Sequence, residues 1–368
     1  MNGGESTLPP ICGDAPMCGD VRRIVVLRAN GVGDFIFALP AIAALRTTYP
    51  QAQIIFLGKA WHASFLHERP CGIDEVIAVP PVHGLTAASA DAECPATNAQ
   101  FFARMRAYRF DLALQMHGGG RYANPFVRQL GARLTFGART ADAAPLDRWV
   151  LYQPLQNERL RLLEVANLAG ARTDRLEPRL PLTPRDFREL AEHWQPDDSP
   201  LVVMQPGATD QRRYWPAEKF AAVADALAAE GALIAVNGIE SERQVTAQLV
   251  AAMRTAAIDL TGALSLSALA ALISKARLVV GNDSGPLHLA QALGTPTVGV
   301  YWFTNLLRSA PLAWRSSRCA VAVRTQCPVC GCENVHARCA HDVSFVSEVP
   351  VDEVIALALE LYRDGQRD

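Results

Sequence analysis

Residues 279–290 read Val-Val-Gly-Asn-Asp-Ser-Gly-Pro-Leu-His-Leu-Ala, and they indicate the fold class more clearly than any other segment. An apolar run ends in small residues, and Pro286 then stands where the first turn of a helix loses nothing by the missing N–H of proline. The pattern predicts a strand, a tight turn and a helix that Asp283 or Ser284 can cap. A strand that leads directly into a helix is the building unit of α/β proteins with parallel sheets.

The same alternation of strand and helix runs along the chain on both sides of this stretch. In the first half we predict strands at 23–27, 53–57, 75–79 and 111–115, a loop at 29–34, a helix at 35–49, and a loop or frayed helix at 82–98. In the second half we predict strands at 201–205, 233–237, 278–280 and 297–301 and helices at 185–194, 216–229, 241–253, 267–275 and 286–293. The pattern predicts two Rossmann-like, doubly wound parallel sheets, whose ligands bind at the carboxyl ends of the strands.

A length of 368 residues favours two domains. A proline-rich stretch at 177–184 and a polar break at 195–200 separate the two halves. We therefore expect a flexible tail (1–20), an N-terminal Rossmann-like domain (21–180), a linker with a helix (181–200), a C-terminal Rossmann-like domain (201–345) and a C-terminal helix (346–368). Two such domains are expected to face each other across a cleft that binds ligands.

Composition excludes several classes of protein. The net charge of −2, from 35 basic and 37 acidic residues, does not favour a nucleic-acid partner. The most apolar stretch, 260–280, contains serines and two basic residues, so it does not predict a membrane span. Residues 1–20 lack the pattern of a signal peptide, and nine cysteines do not favour a disulfide framework. We therefore expect a cytoplasmic protein.

The loop after the first strand reads Asn-Gly-Val-Gly-Asp at 30–34. Ile36 stands where a dinucleotide-binding fingerprint needs its third glycine, so that motif is not formed. Asp34 lies where a helix begins, and the helix dipole favours its ionised form. It either caps this helix or acts as a general base that removes a proton from a substrate hydroxyl. We also predict that Asn30 and Gly33 lie on the acceptor side of the site, where the substrate that carries this hydroxyl would bind.

The turn after the strand at 278–280 has the features of an anion site. Gly285 allows the backbone to come close to a ligand, and the first N–H groups of the helix, after Asp283 and Ser284, point outward with its positive end. Such a turn suits a diphosphate. His288, one turn into the helix, either donates to a phosphate oxygen or is an ordinary core histidine.

A second polar loop follows the strand at 201–205. It contains Gly207, the hydroxyl of Thr209, and Arg213 shortly before Trp215 and Pro216. An arginine beside a diphosphate stabilises a departing nucleotide without a metal ion. The alternative is a solvated basic loop over which Trp215 packs as a lid.

A cysteine-rich loop at 319–341 has the spacing of metal ligands. Four thiolates, or three with a nearby histidine (His336 or His341), would hold one tetrahedral zinc or iron ion as a structural staple. Reduced cysteines without a metal are the alternative. The four cysteines proposed as ligands are Cys327, Cys330, Cys332 and Cys339.

These motifs, in this order, resemble glycosyltransferase family 9, the ADP-heptose:lipopolysaccharide heptosyltransferases. The resemblance covers about residues 22–305. It implies a GT-B fold and an inverting transfer that needs no metal or cofactor, which agrees with the lack of an Asp-x-Asp motif. It rests on Gly33-Asp34 with Pro40 and Arg46, the segment from Pro206-Gly207 to Trp215-Pro216, Thr261-Gly262, and 283–290 followed by Gly294-x-Pro296.

The resemblance also assigns roles to residues. Asp34 matches the family's candidate base, and Arg213 stands where well-known members have lysine, which keeps the charge but changes its geometry. Tyr301-Trp302-Phe303 stands where members often have an aromatic residue and a glycine, and we expect it to narrow the pocket for the donor. The residues that the resemblance places at the nucleotide and its diphosphate are Gly207, Thr209, Thr261, Gly262, Asp283, Ser284, Gly285 and His288.

The implied activity is transfer of heptose from ADP-heptose to a lipopolysaccharide inner-core sugar. It would take place at the inner face of the inner membrane, with peripheral membrane contact. Another nucleotide sugar, another glycan or a protein acceptor, and a non-catalytic nucleotide-sugar-binding module are the alternatives. Some family members that modify autotransporter proteins carry cysteine-bound iron, which keeps iron open for this chain. Six arginines, candidates for an anionic acceptor or ordinary surface residues, are Arg104, Arg106, Arg109, Arg121, Arg128 and Arg133.

Overall fold

The structure, a computed structural model, describes residues 18–87, 89–194 and 199–364. The chain divides into two compact units, Met1–Leu176 and Glu177–Asp368. Of the tail predicted at 1–20, residues 1–17 lie outside the described residues, as do 195–198 of the predicted linker and 365–368 of the predicted C-terminal helix.

The elements of the first unit are β1 (Arg23–Leu27), α1 (Val32–Thr48), β2 (Gln53–Gly58), α2 (Ala60–Leu66), β3 (Glu75–Ala78), α3 (Pro95–Ala107), β4 (Leu112–Gln115), α4 (Ala123–Gln129), β5 (Leu134–Arg139), β6 (Arg148–Leu151) and α5 (Glu158–Leu168), with a short 3-10 helix at Ala90–Ala92. Those of the second unit are α6 (Pro184–Ala191), β7 (Leu201–Gln205), α7 (Ala217–Ala229), β8 (Leu233–Val236), α8 (Arg243–Ala252), β9 (Ile258–Asp259), α9 (Leu266–Lys275), β10 (Leu278–Asn282), α10 (Gly285–Leu293), β11 (Thr297–Trp302), α11 (Phe303–Ser309), β12 (Ser317–Ala322) and α12 (Val351–Asp364), with 3-10 helices at Gln211–Arg213 and Glu240–Glu242.

Each unit contains one six-stranded sheet, and its strand pairs are parallel. The order is β3-β2-β1-β4-β5-β6 in the first unit and β12-β11-β10-β7-β8-β9 in the second. Both therefore have the strand order of a Rossmann sheet. In this order the first three strands are added toward one edge of the sheet, and the chain then returns to the middle and adds the last three toward the other edge. The reversal lies between β1 and β4 in one unit and between β7 and β10 in the other. Ligands bind beside such a reversal, at the carboxyl ends of the strands.

The inner strands of both sheets are largely buried, as is typical of parallel sheets with helices on both faces. All residues of β4, β7 and β10 are buried. In the first unit Val25 and Leu27 pack with Phe102 of α3 and Phe126 of α4, whereas α1 packs against α5. The predicted doubly wound architecture is confirmed.

Several predicted boundaries were wrong. The loop predicted at 29–34 ends sooner, because α1 begins at Val32 and places Gly33 and Asp34 in its first turn. The predicted loop at 82–98 gives way to α3 at Pro95, whose fixed φ suits a first helical turn. The helix predicted at 185–194 is α6, which ends at Ala191. No helix among the residues with assigned structure has the length and apolarity needed to cross a membrane.

Candidate functional site

Asp34 is the third residue of α1 and faces back toward the start of the helix. Its Oδ2 accepts a hydrogen bond of 3.2 Å from the N–H of Gly31, the N-cap residue. Its Oδ1 lies 3.1 Å from Nη2 of Arg28. The side chain nevertheless remains 44% exposed. Asp34 therefore takes part in helix capping and still presents a carboxylate that a substrate can reach.

Arg28 fixes this carboxylate, and the sequence analysis did not single it out. Its side chain is 1% exposed, and Nη1 donates to the carbonyl oxygen of Met116 and to Oε1 of Glu158, the latter at 3.0 Å. Glu158 also pairs with the buried Arg161. Arg28 thus connects the loop after β1 to the loop after β4 and to the first turn of α5. The feature of the sequence that could have identified Arg28 is its position directly after an apolar strand.

Two neutral histidines lie beside this group. Nδ1 of His62 accepts from the N–H of Lys59 at 2.9 Å, and Nδ1 of His117 accepts from the N–H of Ala29 at 3.2 Å. Burial lowers the pKa of His62 to about 3 and that of His117 to about 4. In both rings Nδ1 acts as an acceptor, so the proton of the neutral ring is on Nε2.

The two acceptor-side residues predicted with Asp34 lie in the same loop. Gly33 is in the first turn of α1. Asn30 precedes this turn, and its Oδ1 is buried without a hydrogen-bond partner in the described parts of the chain. The loops after β1 and β4, on either side of the reversal in strand order, thus bring together Asn30, Asp34 and His117.

In the second unit, Arg213 joins the loops that follow β7 and β10. Its Nη1 donates to the backbone oxygen of Asp283 at 2.8 Å and to Oδ2 of Asp283 at 3.2 Å, and Nη2 donates to the hydroxyl of Thr209 at 2.7 Å. These bonds account for three of the five N–H donors of the guanidinium. The three predicted residues therefore form one group beside the reversal in strand order.

Asp283 is the centre of this group. It is buried and accepts from Arg213, from the Ser309 hydroxyl at 2.8 Å and from Asn305 at 2.7 Å. Burial would raise the pKa of Asp283, but His288, Arg213 and Ser309 together hold it well below its usual range. The carboxylate is therefore ionised at neutral pH. Removing it would take one side-chain partner from Arg213 and one from His288 at the same time.

His288 is buried, and both of its ring nitrogens have side-chain partners. Nε2 lies 3.0 Å from Oδ1 of Asp283, and Nδ1 lies 3.2 Å from Oε1 of Gln291. In this arrangement His288 contacts Asp283 instead of facing outward. The groups of this turn that could bind an anion are then the first backbone N–H groups of α10, which have no partner within the helix.

The turn between β10 and α10 places Ser284 at the start of the helix. Ser284 is the N-cap of α10, and α10 begins at Gly285. The Ser284 side chain makes no capping hydrogen bond, and its Oγ is buried without a partner among the described residues. Neither Asp283 nor Ser284 therefore caps the helix through its side chain, because Asp283 bonds instead to Arg213 and His288.

Gly207, which follows β7, leaves room for a carboxylate that the sequence analysis did not identify. A Cβ on Gly207 would lie 2.1 Å from the carboxyl carbon of Glu242, so only glycine fits while Glu242 keeps this position. Burial raises the pKa of Glu242.

Thr261 and Gly262 follow β9 at the sheet edge, separated from β10 by β7 and β8. They are thus placed away from the Asp283 group.

Two interpretations of the aromatic residues do not hold in the structure, the alternative in which Trp215 is a lid and the expectation that Tyr301 and Trp302 narrow the donor pocket. Trp215 is fully buried against Phe220, and its Nε1 donates to the carbonyl oxygen of Val349, so it is a core residue and not a lid. Tyr301 and Trp302 are also buried, because β11 lies inside the sheet. Of that aromatic run only Phe303 is partly exposed, so the first two do not narrow a pocket.

The cysteine-rich loop brings together three of the four predicted cysteines and one histidine. One ligand atom each of Cys327, Cys330, Cys339 and His341 lies within 4.8 Å of the others. Cys332 is not part of this group. Nδ1 of His341 is buried and has no hydrogen-bond partner among the residues described. A hydrogen bond from the backbone of His341, followed by one from Asn334, lowers the pKa of Cys339 to about 6. This group could hold a metal ion.

Comparisons with known proteins identify the family. The profile of Glycosyltransferase family 9 (heptosyltransferase) matches residues 99–337. The lipopolysaccharide core heptosyltransferase OpsX of Haemophilus influenzae is 22% identical over 82% of this chain and 84% of its own length. Lipopolysaccharide heptosyltransferase 2 of Salmonella typhimurium is 25% identical over 76% of this chain and 82% of its own.

Solved structures share the fold. The E. coli ADP-heptose lps heptosyltransferase II has a TM-score of 0.74 and 19% identity, covering 94% of this chain and 99% of that one. The iron-containing dodecameric glycosyltransferase TibC of enterotoxigenic E. coli has a TM-score of 0.52 and 13% identity, covering 94% and 77%. These likenesses confirm the GT-B fold. The chain belongs to glycosyltransferase family 9 and is a glycosyltransferase.

Proposed function

We propose that the chain transfers heptose from ADP-heptose to an inner-core sugar of lipopolysaccharide, with inversion at the anomeric carbon. The observation that carries this proposal is the Arg213–Asp283–Thr209 group, which holds the Arg213 guanidinium beside the N-terminus of α10 on a Rossmann sheet. The relatives support the substrates, since OpsX and heptosyltransferase 2 are heptosyltransferases of lipopolysaccharide.

In the proposed reaction Asp34 removes the proton from the acceptor hydroxyl. The oxygen then forms a bond to the anomeric carbon of heptose while the bond from that carbon to the diphosphate oxygen breaks, and ADP leaves. The Gly31 N–H and Arg28 hold the carboxylate in one orientation. A positioned general base typically contributes about 10²–10⁴-fold to a rate.

The charge that develops on the departing diphosphate is met in the second unit. Arg213 has two N–H donors beyond its bonds to Asp283 and Thr209, and the first N–H groups of α10 add the positive end of a helix. Arg213 supplies the positive charge for which other transferases use a metal cation, so we propose a metal-independent transfer. Asp283 and His288 act as positioning residues for Arg213.

The cysteine-rich loop is proposed to hold a structural zinc or iron ion. Three thiolates and an imidazole form a donor set of structural metal sites. With bonds of about 2.1–2.3 Å, tetrahedral ligands lie about 3.5–3.8 Å apart, so the group spread over 4.8 Å would need to contract slightly. Such an ion would fix the loop. The proposed catalytic residues Asp34 and Arg213 are not among its ligands.

The donor is tested by calorimetric titration of the full chain with ADP, UDP, GDP and CMP. We expect ADP to bind most tightly, and the variant Arg213→Gln to weaken ADP binding by about 10–100-fold, because it removes charge-assisted hydrogen bonds. Arg363→Gln is the matched control, since Arg363 pairs with Glu230 on the surface of the same unit. Preference for another nucleotide would reject ADP-heptose as donor, and binding of none would favour the non-catalytic module.

The acceptor places the reaction at a membrane. A lipopolysaccharide precursor is anchored in the inner membrane, so we propose peripheral contact of the chain with its inner face. Sedimentation of the chain with vesicles that carry a core-truncated lipopolysaccharide tests this contact. We expect co-sedimentation with these vesicles and none with vesicles of phospholipid alone. Equal recovery in both pellets, or in neither, would contradict it.

A further inference from the structure

A cavity of about 460 Å³ lies in the first unit, apart from the Asp34 group. Its walls come from the loop after β3, from the first turns of α3, and from the segment 121–129 that includes α4. This volume is within the ~300–1,000 Å³ range typical of sites for small molecules. The sequence of 82–98, which supplies part of these walls, predicts only a loop or frayed helix.

Aromatic rings form one wall of the cavity. Tyr122 is 41% exposed, and its ring centroid lies 5.0 Å from that of His83. Phe102 and Phe126, with centroids also 5.0 Å apart, are buried beneath. Tyr122 is an aromatic side chain that remains open to a ligand although it is packed from behind.

The loop after β3 packs directly against Tyr122. Gly84 has a φ of +74°, and a Cβ at this position would lie 2.3 Å from the Tyr122 ring. The backbone N–H of His83 donates to the carboxylate of Glu93, and that of Val82 donates to the Thr86 hydroxyl at 2.9 Å. The cavity is therefore formed before any ligand binds.

Four of the other lining residues have polar side chains that end in planar groups. Asn98, Gln129, Glu93 and Arg121 line the cavity. Oδ1 of Asn98 is buried and has no hydrogen-bond partner in the described chain, a situation that is uncommon for a buried polar atom. Arg121 forms no ion pair with a described residue, and its guanidinium lies 5.6 Å from the centroid of Tyr122. One acidic and one basic side chain leave the cavity with no net charge.

From these features we infer that the cavity binds one uncharged pyranose ring of the glycan acceptor, a ring other than the one that receives heptose. This inference rests on the proposed function. A pyranose presents an apolar C–H face, which suits the exposed ring of Tyr122, and a rim of hydroxyls, which suits amide and carboxylate side chains. The carboxylate of Glu93 offsets the positive charge of Arg121, so the cavity favours an uncharged sugar over a phosphate group.

The cavity is connected to the Asp34 group through the loop that follows β4. His117 accepts from the N–H of Ala29 in the loop of Asp34. Three glycines at 118–120 then lead directly to Arg121 and Tyr122 at the cavity. Both features thus lie at the carboxyl end of the first sheet. We therefore place the glycan along this end of the sheet, with the ring that receives heptose at Asp34 and another ring in the cavity.

The test compares two acceptors in a transfer assay with ADP-heptose. One is a phosphate-free inner-core oligosaccharide, and the other is its terminal monosaccharide as a methyl glycoside. For Tyr122→Ala and Asn98→Ala we expect KM for the oligosaccharide to rise about three- to tenfold, the loss of one stacking or hydrogen-bonding group. KM for the methyl glycoside, kcat and the affinity for ADP stay unchanged. Phe187→Ala is the control, an aromatic residue of similar exposure (39%) in the second unit.

An unchanged KM for the oligosaccharide in both variants would overturn the inference, and so would equal effects on both acceptors. A KM effect seen only with a phosphorylated oligosaccharide would also overturn it, since the ligand would then be an anion. If the parent chain transfers no heptose at all, the proposed function fails. Saturation-transfer NMR with the same oligosaccharide, on the parent and Tyr122→Ala, then tests the cavity by itself.

Discussion

Arg28 and Asp34 form an ion pair of 3.1 Å in which the arginine is buried and the carboxylate remains open to solvent. The arginine is held at its other end by Glu158, which lies 130 positions further along the chain. Such a pair cannot adapt by moving the arginine, because its surroundings are packed. Asp34 is thus a carboxylate fixed in place at the carboxyl end of β1.

The substitution Arg28→Met should destabilise the first unit strongly. It removes the cation between Asp34 and Glu158, and the loss of one partner from a buried ion pair costs about 3 kcal/mol or more. Urea unfolding of the variant measures this loss. Arg22→Met is the matched control, because Arg22 pairs with Asp20 on the surface, where both side chains are mostly exposed. Equal stability of the two variants would show that the buried network contributes little.

His62 should make the protein less stable in acid. An unfolded histidine takes up a proton below about pH 6.5, whereas His62 in the folded state does so only near pH 3. The free energy of unfolding therefore falls as the pH drops through this range, by about 2 kcal/mol at pH 5 from this residue. His62→Phe should remove this part of the difference in stability between pH 7 and pH 5.

Thermal or urea unfolding at the two pH values measures the effect of His62. His67→Phe, at an exposed position of the same segment, controls for the loss of a histidine as such. If His62→Phe keeps the full acid sensitivity of the parent, His62 is not the buried neutral group described here. His117, whose pKa is also lowered, is then the next residue to vary.

The cysteine group predicts which substitutions remove a metal ion. We expect the purified chain to contain about one zinc or iron ion, Cys339→Ser to lose it, and Cys332→Ser to keep it, because Cys332 lies outside the group. Elemental analysis of the three proteins measures this directly. A parent chain without either metal would end the proposal of a structural ion. Loss of metal in Cys332→Ser but not in Cys339→Ser would contradict the ligand set.

Local sequence signals predicted the β10–α10 turn well, because its strand, small residues, proline and helix follow one another in the chain. They did not predict the features that depend on contacts between residues far apart in the chain. Neither the pairing of Arg28 with Glu158 nor the position of Glu242 against Gly207 leaves a local pattern. The short strand β9 has only two residues, and its partner in the sheet defines it.

The ligand set of the cysteine loop shows the same limit. Spacing alone favoured Cys332 as the fourth ligand and left a histidine as the alternative. In the structure the N–H of Cys327 donates to the backbone oxygen of Cys332 at 2.9 Å, so Cys332 closes the turn through its backbone. His341, nine residues further on, supplies the fourth group instead. Only the folded turn distinguishes these two arrangements.

The role of Asp34 as general base is tested by measuring heptose transfer from ADP-heptose to an inner-core acceptor by the parent and by Asp34→Asn, with ADP affinity determined for both. The parent should transfer heptose, and the variant should lose about 10²–10⁴-fold in kcat, because the amide cannot accept the proton. ADP affinity should be equal, since Arg213 and α10 belong to the other unit. An Asp34→Asn variant that retains full turnover would show that Asp34 is not the general base.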